Sequence, residues 1–219
     1  MLLLVATLGG SVAMLATMRI IRHKTKHTKF MIGRLAHDNS PANRGGDRNF
    51  SFEIKILGEH IIMITFRPAG RTDCALILRF IKALAEYEHM LPDVTATEQL
   101  LEEWLFNKHA AEVLFALKDE REVGFALYFH NFSTFLGKAG LYLEDLYVEP
   151  EYRNQGIGKA ILQQLARIAV ERGCGRLEWA CLDWNEPSIR FYHSLGAQAM
   201  DDWTVYRLTG NALKNLVER

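Results

Sequence analysis

The chain has 219 residues, 49% of them apolar, so it can pack a core and wholesale disorder is excluded. Its zero formal charge conceals a split: residues 1–60 hold nine basic against four acidic side chains, residues 61–219 seventeen against twenty-two. The larger part is therefore a poor nucleic-acid binder and a fair host for a cationic substrate. Three cysteines, Cys74, Cys174 and Cys181, lack C-x-x-C spacing, which fits reduced thiols in the cytosol and argues against a disulfide framework or a zinc site.

Residues 1–18 carry no charge and as a helix would rise about 27 Å, close to the thickness of a hydrocarbon core. Arg19, Arg22, Lys24, Lys26, Lys29 and Arg34 follow. A secretory signal would place its positive charge before the apolar run, so the positive-inside rule puts the downstream chain in the cytoplasm. Two readings stand side by side: a transmembrane helix tethering the chain to the inner membrane, or a fused upstream fragment ahead of a start at Met63. Residues 1–36 thus read as a hydrophobic helix plus basic segment, 37–60 as a linker rich in Asn, Pro, Gly, Asp and Arg, and 61–219 as the main domain.

In the main domain, the β-branched run 61–66 predicts a strand that ends at Pro68. Asp73 is placed to cap a helix with the apolar stripe Leu76, Ile77, Phe80, Ile81 and Leu84. Thr95 and Glu98 have capping-box spacing ahead of Leu100, Leu101, Trp104 and Leu105, which predicts a second helix. Strands follow at 113–117 and 123–129, joined by a polar connection, and a third at 141–148 before Pro150. A helix over 156–172 shows Ile157, Ile161, Leu165 and Ile168 at helical spacing and stops at Gly173. Next come a strand at 177–182, a helix capped by Asn185 with Pro187 in its first turn, a final strand at 205–208 and a helix at 211–217. This order predicts an α/β (α+β) fold, a mixed sheet with helices on both faces.

Between the strand at 141–148 and its helix lies Arg153-Asn154-Gln155-Gly156-Ile157-Gly158-Lys159. Glycines let the backbone come close to a ligand, and a helix start presents unpaired N–H groups at a positive dipole end, so the turn suits a pyrophosphate. G-x-G alone also occurs in plain tight turns. The spacing is neither that of a P-loop nor, lacking a third glycine, that of a Rossmann fingerprint.

Arg153-x-x-Gly156-x-Gly158 after a strand, with Trp184-Asn185-Glu186-Pro187-Ser188-Ile189-x-Phe191-Tyr192-x-x-x-Gly196-Ala197 downstream, resembles the GNAT N-acetyltransferase superfamily. Phe66-Arg67-Pro68-Ala69 and Leu141-Tyr142-Leu143-Glu144-Asp145 make the chain look most like the spermidine/spermine (diamine) N-acetyltransferases. The resemblance covers about Ile64 to Leu208. Residues 1–35 separately resemble the C-terminal end of a small bacterial membrane protein family of unknown function, through Leu8-Gly9-Gly10-Ser11 and Arg22-His23-Lys24-Thr25.

The resemblance implies a mostly antiparallel, twisted GNAT sheet, acetyl-CoA as acetyl donor, no metal, a small-molecule amine partner and a homodimer. It places the CoA pyrophosphate on the turn, from Arg153 and Asn154 through Gln155, Gly156, Ile157 and Gly158 to Lys159. The pantetheine arm pairs with a bulged strand at Leu146, Tyr147 and Val148, and Asn185 bonds the cofactor in addition to capping its helix. The amine attacks directly through a tetrahedral intermediate.

Such a reaction needs a neutral nucleophile, an oxyanion donor and a proton for the departing thiolate. Tyr192, which related enzymes place by the CoA sulfur, is the candidate acid; packing the helix against the sheet is its alternative role. Glu144 and Asp145 interrupt an apolar strand, so at least one carboxylate points toward a covered face or cleft, where its pKa can rise and suit it as a base. The resemblance assigns Glu144 to substrate contact and deprotonation, with a structural carboxylate as the alternative, and a backbone amide near Leu146 is the natural oxyanion donor. Tyr87 and Glu88 match the family's substrate-binding pair, an aromatic face plus a carboxylate for an alkylammonium. Where the diamine enzymes have acidic residues before the final strand, this chain has Thr204, with Asp202 nearby. The acceptor reads as a polyamine, diamine or amino-acid-like amine; the alternatives are a protein lysine or N-terminus, or a tethered, non-catalytic acetyl-CoA-binding module.

Overall fold

Apolar runs of period two and period 3.6 alternate along the main domain, and each folds according to its period. The computed structural model describes residues 50–55 and 61–217. The apolar run 1–18 and the basic stretch after it lie outside the described residues. Among the described residues no helix is long and apolar enough to cross a membrane.

Six strands, β1 (Phe50–Lys55), β2 (Ile61–Pro68), β3 (Glu112–Lys118), β4 (Arg121–Ser133), β5 (Lys138–Val148) and β6 (Leu177–Trp179), form one sheet in that order. Neighbours from β1 to β5 are antiparallel and β6 joins β5 in parallel, which makes the sheet mixed and mostly antiparallel. The first strand falls within the stretch 37–60 that composition marks as a linker; its Phe-Ser-Phe-Glu-Ile-Lys alternation carries the strand signal.

The helices are α1 (Cys74–Tyr87), α2 (Glu98–Leu101, continued by a wider π turn at Glu102–Asn107), α3 (Ile157–Glu171), α4 (Glu186–Ser194) and α5 (Gly210–Val217). Asp73 stands at the N-cap of α1, but its carboxylate is engaged by Arg67, at 2.7 and 3.0 Å, and by the Gly70 N–H. Thr97, not Thr95, caps α2: its hydroxyl accepts the Leu100 N–H at 3.2 Å.

Each face of the sheet has its own core. Ile64, Phe66, Leu114 and Ala116 pack against Ile157, Ile161 and Leu165 of α3. On the other face Phe115, Phe125 and Tyr147 meet Ile77 and Phe80 of α1 with Leu101 and Leu105. Phe80 stacks on Phe125 with centroids 5.2 Å apart, and burial of such a ring contributes about 2–3 kcal/mol.

Three further expectations change. The bulge expected over 146–148 sits just before it: Leu127 pairs with Asp145 and Tyr128 with Leu143, which leaves Glu144 unpaired. The strand expected at 205–208 does not form, and Val205 and Tyr206 are 83% and 91% exposed. The strand expected over 177–182 is cut to the three residues of β6, too short an edge to hold a further strand of this chain.

Candidate active site

The short β6 is what opens the site. It runs beside β5 from Leu141↔Leu177 to Leu143↔Trp179 and then parts from it. Past that point β5 keeps its ladder to β4 as far as Val148, while its other edge, residues 144–148, has no strand against it among the described residues. Such an edge accepts an extended ligand as an added strand. Leu146 and Val148 pack on the core under α3 and Tyr147 lies in the core under α1, so this stretch offers a ligand its backbone.

At the end of β5 the chain turns back through Asn154 (φ 60°) and Gly156 (φ 80°), and α3 begins. Gly156 is the N-cap and supplies no capping side chain, and no acidic residue lies in the first turn of α3. An uncapped start on a 15-residue helix leaves N–H donors and a positive dipole end for an anion, so the turn fits a pyrophosphate. Ile157 is 1% exposed and meets a ligand only through its N–H, whereas Lys159 is exposed. Gln155 accepts from Lys118 Nζ at 2.8 Å and donates to the Glu151 carbonyl at 2.9 Å. Arg153 donates from Nε to the Val148 carbonyl at 2.9 Å, and its guanidinium lies 4.8 Å over the Tyr87 ring and 5.3 Å over Tyr147.

Asn185 is 7% exposed. Its Oδ1 accepts the Ser188 N–H at 3.4 Å, which makes it the cap of α4, and also the Tyr87 hydroxyl at 3.1 Å. The expected cap is therefore present, with a partner from the far side of the site. Trp184, beside Asn185, lies 6.0 Å from Tyr87, ring to ring.

The bulge decides where the carboxylates go. Cross-strand partners share a face, so Asp145 lies with Leu127 on the α1 side, where Glu88 caps the C-terminus of α1. Burial first, then the charges of Glu144 and Glu88, push the Asp145 carboxyl up to about 6. Burial also raises Glu88. Glu144 itself stands exposed on the bulge. None of the three makes an ion pair or a side-chain hydrogen bond among the described residues.

Tyr192, on α4, packs against Trp179 and Phe191 at 5.0 and 5.4 Å. Burial first, then Cys181, Glu88 and Tyr87, push its phenol up to about 12, so it keeps its proton throughout the neutral range. Its hydroxyl makes no hydrogen bond among the described residues. Cys181 is the residue that sequence reasoning passed over as one of three reduced thiols. The early end of β6 brings it here, and burial followed by Glu88 and Asp183 raises its pKa, so the thiol stays neutral. The cavity bounded by Pro68, Leu105, His109, Glu112 and Tyr128 includes none of these groups.

Residues 78–197 match the Acetyltransferase (GNAT) family, and residues 1–30 match a protein family of unknown function (DUF1294). A thialysine N-epsilon-acetyltransferase from Bos taurus is 38% identical over 165 residues, which cover 70% of this chain and 96% of that protein. A spermidine/spermine N(1)-acetyltransferase-like protein from Homo sapiens is 33% identical over 161 residues, 68% of this chain and 23% of its own. Among solved structures, an integron cassette protein from V. cholerae gives a TM-score of 0.60 at 29% identity, over 71% of this chain and 98% of that one. Sequence match and sheet agree: the chain belongs to the GNAT family and is an acyltransferase, in a family whose members draw their acetyl group from acetyl-CoA.

Proposed function

We propose that this enzyme acetylates a primary amine of a small polyamine, diamine or amino-acid-like molecule. What carries the reading is the trio Glu88, Glu144 and Asp145, carboxylates without a counter-ion among the described residues, beside a tyrosine hydroxyl that has no hydrogen-bond partner among them. Like charges gathered this way favour a cation at their centre. The relatives named for thialysine and for spermidine/spermine support an acceptor of this class.

Bound acetyl-CoA supplies the thioester carbonyl that accepts the amine. The open edge at 144–148 holds its extended arm, and the N–H groups of 154–159 hold its pyrophosphate. An amine arrives protonated at neutral pH, drawn by Glu144 at the rim and by Glu88. Asp145, poised near 6, takes the proton directly or through water, and a base near neutrality suits this task better than an ordinary carboxylate. The base is thus moved from Glu144, the assignment the resemblance implied, to its neighbour. The N–H beside the bulge at Leu146 donates to the oxyanion, and Tyr192 donates its proton to the departing sulfur and is reprotonated by the second proton the amine nitrogen sheds as the amide forms.

Thiol release by the purified protein with acetyl-CoA tests this on thialysine, ornithine, putrescine and spermidine, with a lysine-containing peptide as contrast. Turnover on at least one small amine well above the peptide is expected. Turnover confined to the peptide, or CoA binding without turnover on any amine, would overturn the proposal.

We also infer a homodimer, because Trp203, Val205, Tyr206, Leu208, Leu213 and Leu216 are all more than half exposed and a second copy would cover them. Light scattering is expected to give twice the chain mass; a monomer at micromolar concentration refutes it.

A further inference from the structure

Tyr87 is spent on the protein itself. Its ring carries the Arg153 guanidinium at 4.8 Å and meets Trp184 at 6.0 Å, tilted by 46°. Its hydroxyl donates to Asn185 Oδ1 across 98 residues of sequence. Both contacts lead to groups on the cofactor side, one at the phosphate turn and the other at the start of α4. An aromatic face already occupied by an arginine is not a face for the acceptor's ammonium.

The hydrogen bond to Asn185 has a directional consequence. A side-chain amide has one oxygen and one NH2, and fixing the first fixes the second. The Ser188 N–H can only donate, so it calls for the oxygen, but at 3.4 Å it is a weak restraint. The Tyr87 hydroxyl, at 3.1 Å, holds the same oxygen from α1. The amide nitrogen is left without a partner among the described residues, on a side chain only 7% exposed. It is not among the enclosed side-chain atoms that lack a partner, so the NH2 keeps an opening through which a ligand can accept its hydrogen bond.

We propose that Tyr87 is a positioning residue for the cofactor: its hydroxyl locks the Asn185 amide with Nδ2 turned to the arm of CoA, and its ring seats Arg153. This rests on the acetyl-CoA reading above and reassigns Tyr87 from acceptor recognition. Glu88, the next residue, keeps its acceptor role, so the end of α1 serves both substrates through adjacent side chains.

Calorimetric titration with CoA, free of turnover, tests the proposal on the parent protein, Tyr87→Phe, Asn185→Ser and the double variant. Phenylalanine keeps the ring, and serine keeps the helix cap, so thermal unfolding should show all four folded. Tyr87→Phe is expected to weaken CoA roughly fivefold, the net size of one hydrogen bond, and Asn185→Ser at least as much. In the double variant the loss should not exceed that of Asn185→Ser, because the two groups act as one. The acceptor KM at saturating acetyl-CoA should stay put in Tyr87→Phe. CoA affinity within twofold of the parent for Tyr87→Phe, losses that add in the double variant, or a change confined to the acceptor KM each overturn it. A parent protein that binds no CoA would instead sink the acetyl-CoA reading.

Discussion

Replacing Asp145 with asparagine is expected to stabilise the protein while disabling it. The carboxyl titrates near 3.8 when exposed and near 6 in the fold, so burial and its acidic neighbours work against its charged form. Well below pH 3.8 the group is protonated in both states and costs nothing. As the pH rises through 6 the folded protein must either hold a proton or bury a charge, and stability is lost. A gap of about two pKa units at 1.36 kcal/mol each makes the loss at most about 3 kcal/mol above pH 7. Asparagine keeps the shape without the charge. Near pH 4 the variant and the parent should therefore unfold almost together. Near pH 8 the variant should be more stable by up to about 3 kcal/mol, or roughly 6 to 12 °C in Tm for a chain of this size. Urea unfolding at both pH values measures the gap, and acetyl transfer by the same samples should fall sharply. A variant no more stable than the parent at pH 8, or a gap that ignores pH, would refute the reasoning.

Tyr192→Phe should lower kcat by roughly 10²–10⁴ under conditions where chemistry limits, with no loss of stability, because the hydroxyl makes no hydrogen bond among the described residues; full kcat would remove Tyr192 as the acid. Gly156→Ala puts a side chain at φ 80° and should cost about 1 kcal/mol in denaturant unfolding. Calorimetry on the same variant should show weaker CoA binding, since in the proposed binding mode the strained backbone is the one that faces the phosphates. Phe80→Ala should cost about 3–5 kcal/mol, read by urea denaturation, because the ring is fully buried against Phe115, Phe125 and Tyr147.

The elements with strong periodicity were legible. The stripe Ile157, Ile161, Leu165 placed α3, and the glycines ahead of it placed the turn, because both signals are local. The carboxylates were harder. Strict alternation along β5 puts Asp145 in phase with Leu143, under α3; the structure puts it on the other face. The clue lay in the spacing of Leu141, Leu143, Leu146 and Val148, whose step of three marks an extra residue. The segment at 205–208 has the composition of a strand, yet a strand needs an edge, and edge length is a property of the partner and not of the segment. Tyr87 was out of reach for a similar reason: its partners Arg153 and Asn185 are far along the chain, and no local pattern announces a contact across 98 residues.

The three-residue seam between β5 and β6 has a consequence for motion as well as for binding. Everything after Trp179, including Cys181, Asn185 and Tyr192, is joined to the sheet by that seam and by side-chain packing against α1 and α3. Elements with few backbone rungs open locally at a lower free energy than the centre of a sheet. In the free protein, amides from 177 to 194 should exchange hydrogen well before those of β3 and β4. A ligand strand laid along 144–148 would span the gap and slow them, so a cofactor bound as proposed would complete the ladder and fix in place the helix that carries the proposed acid.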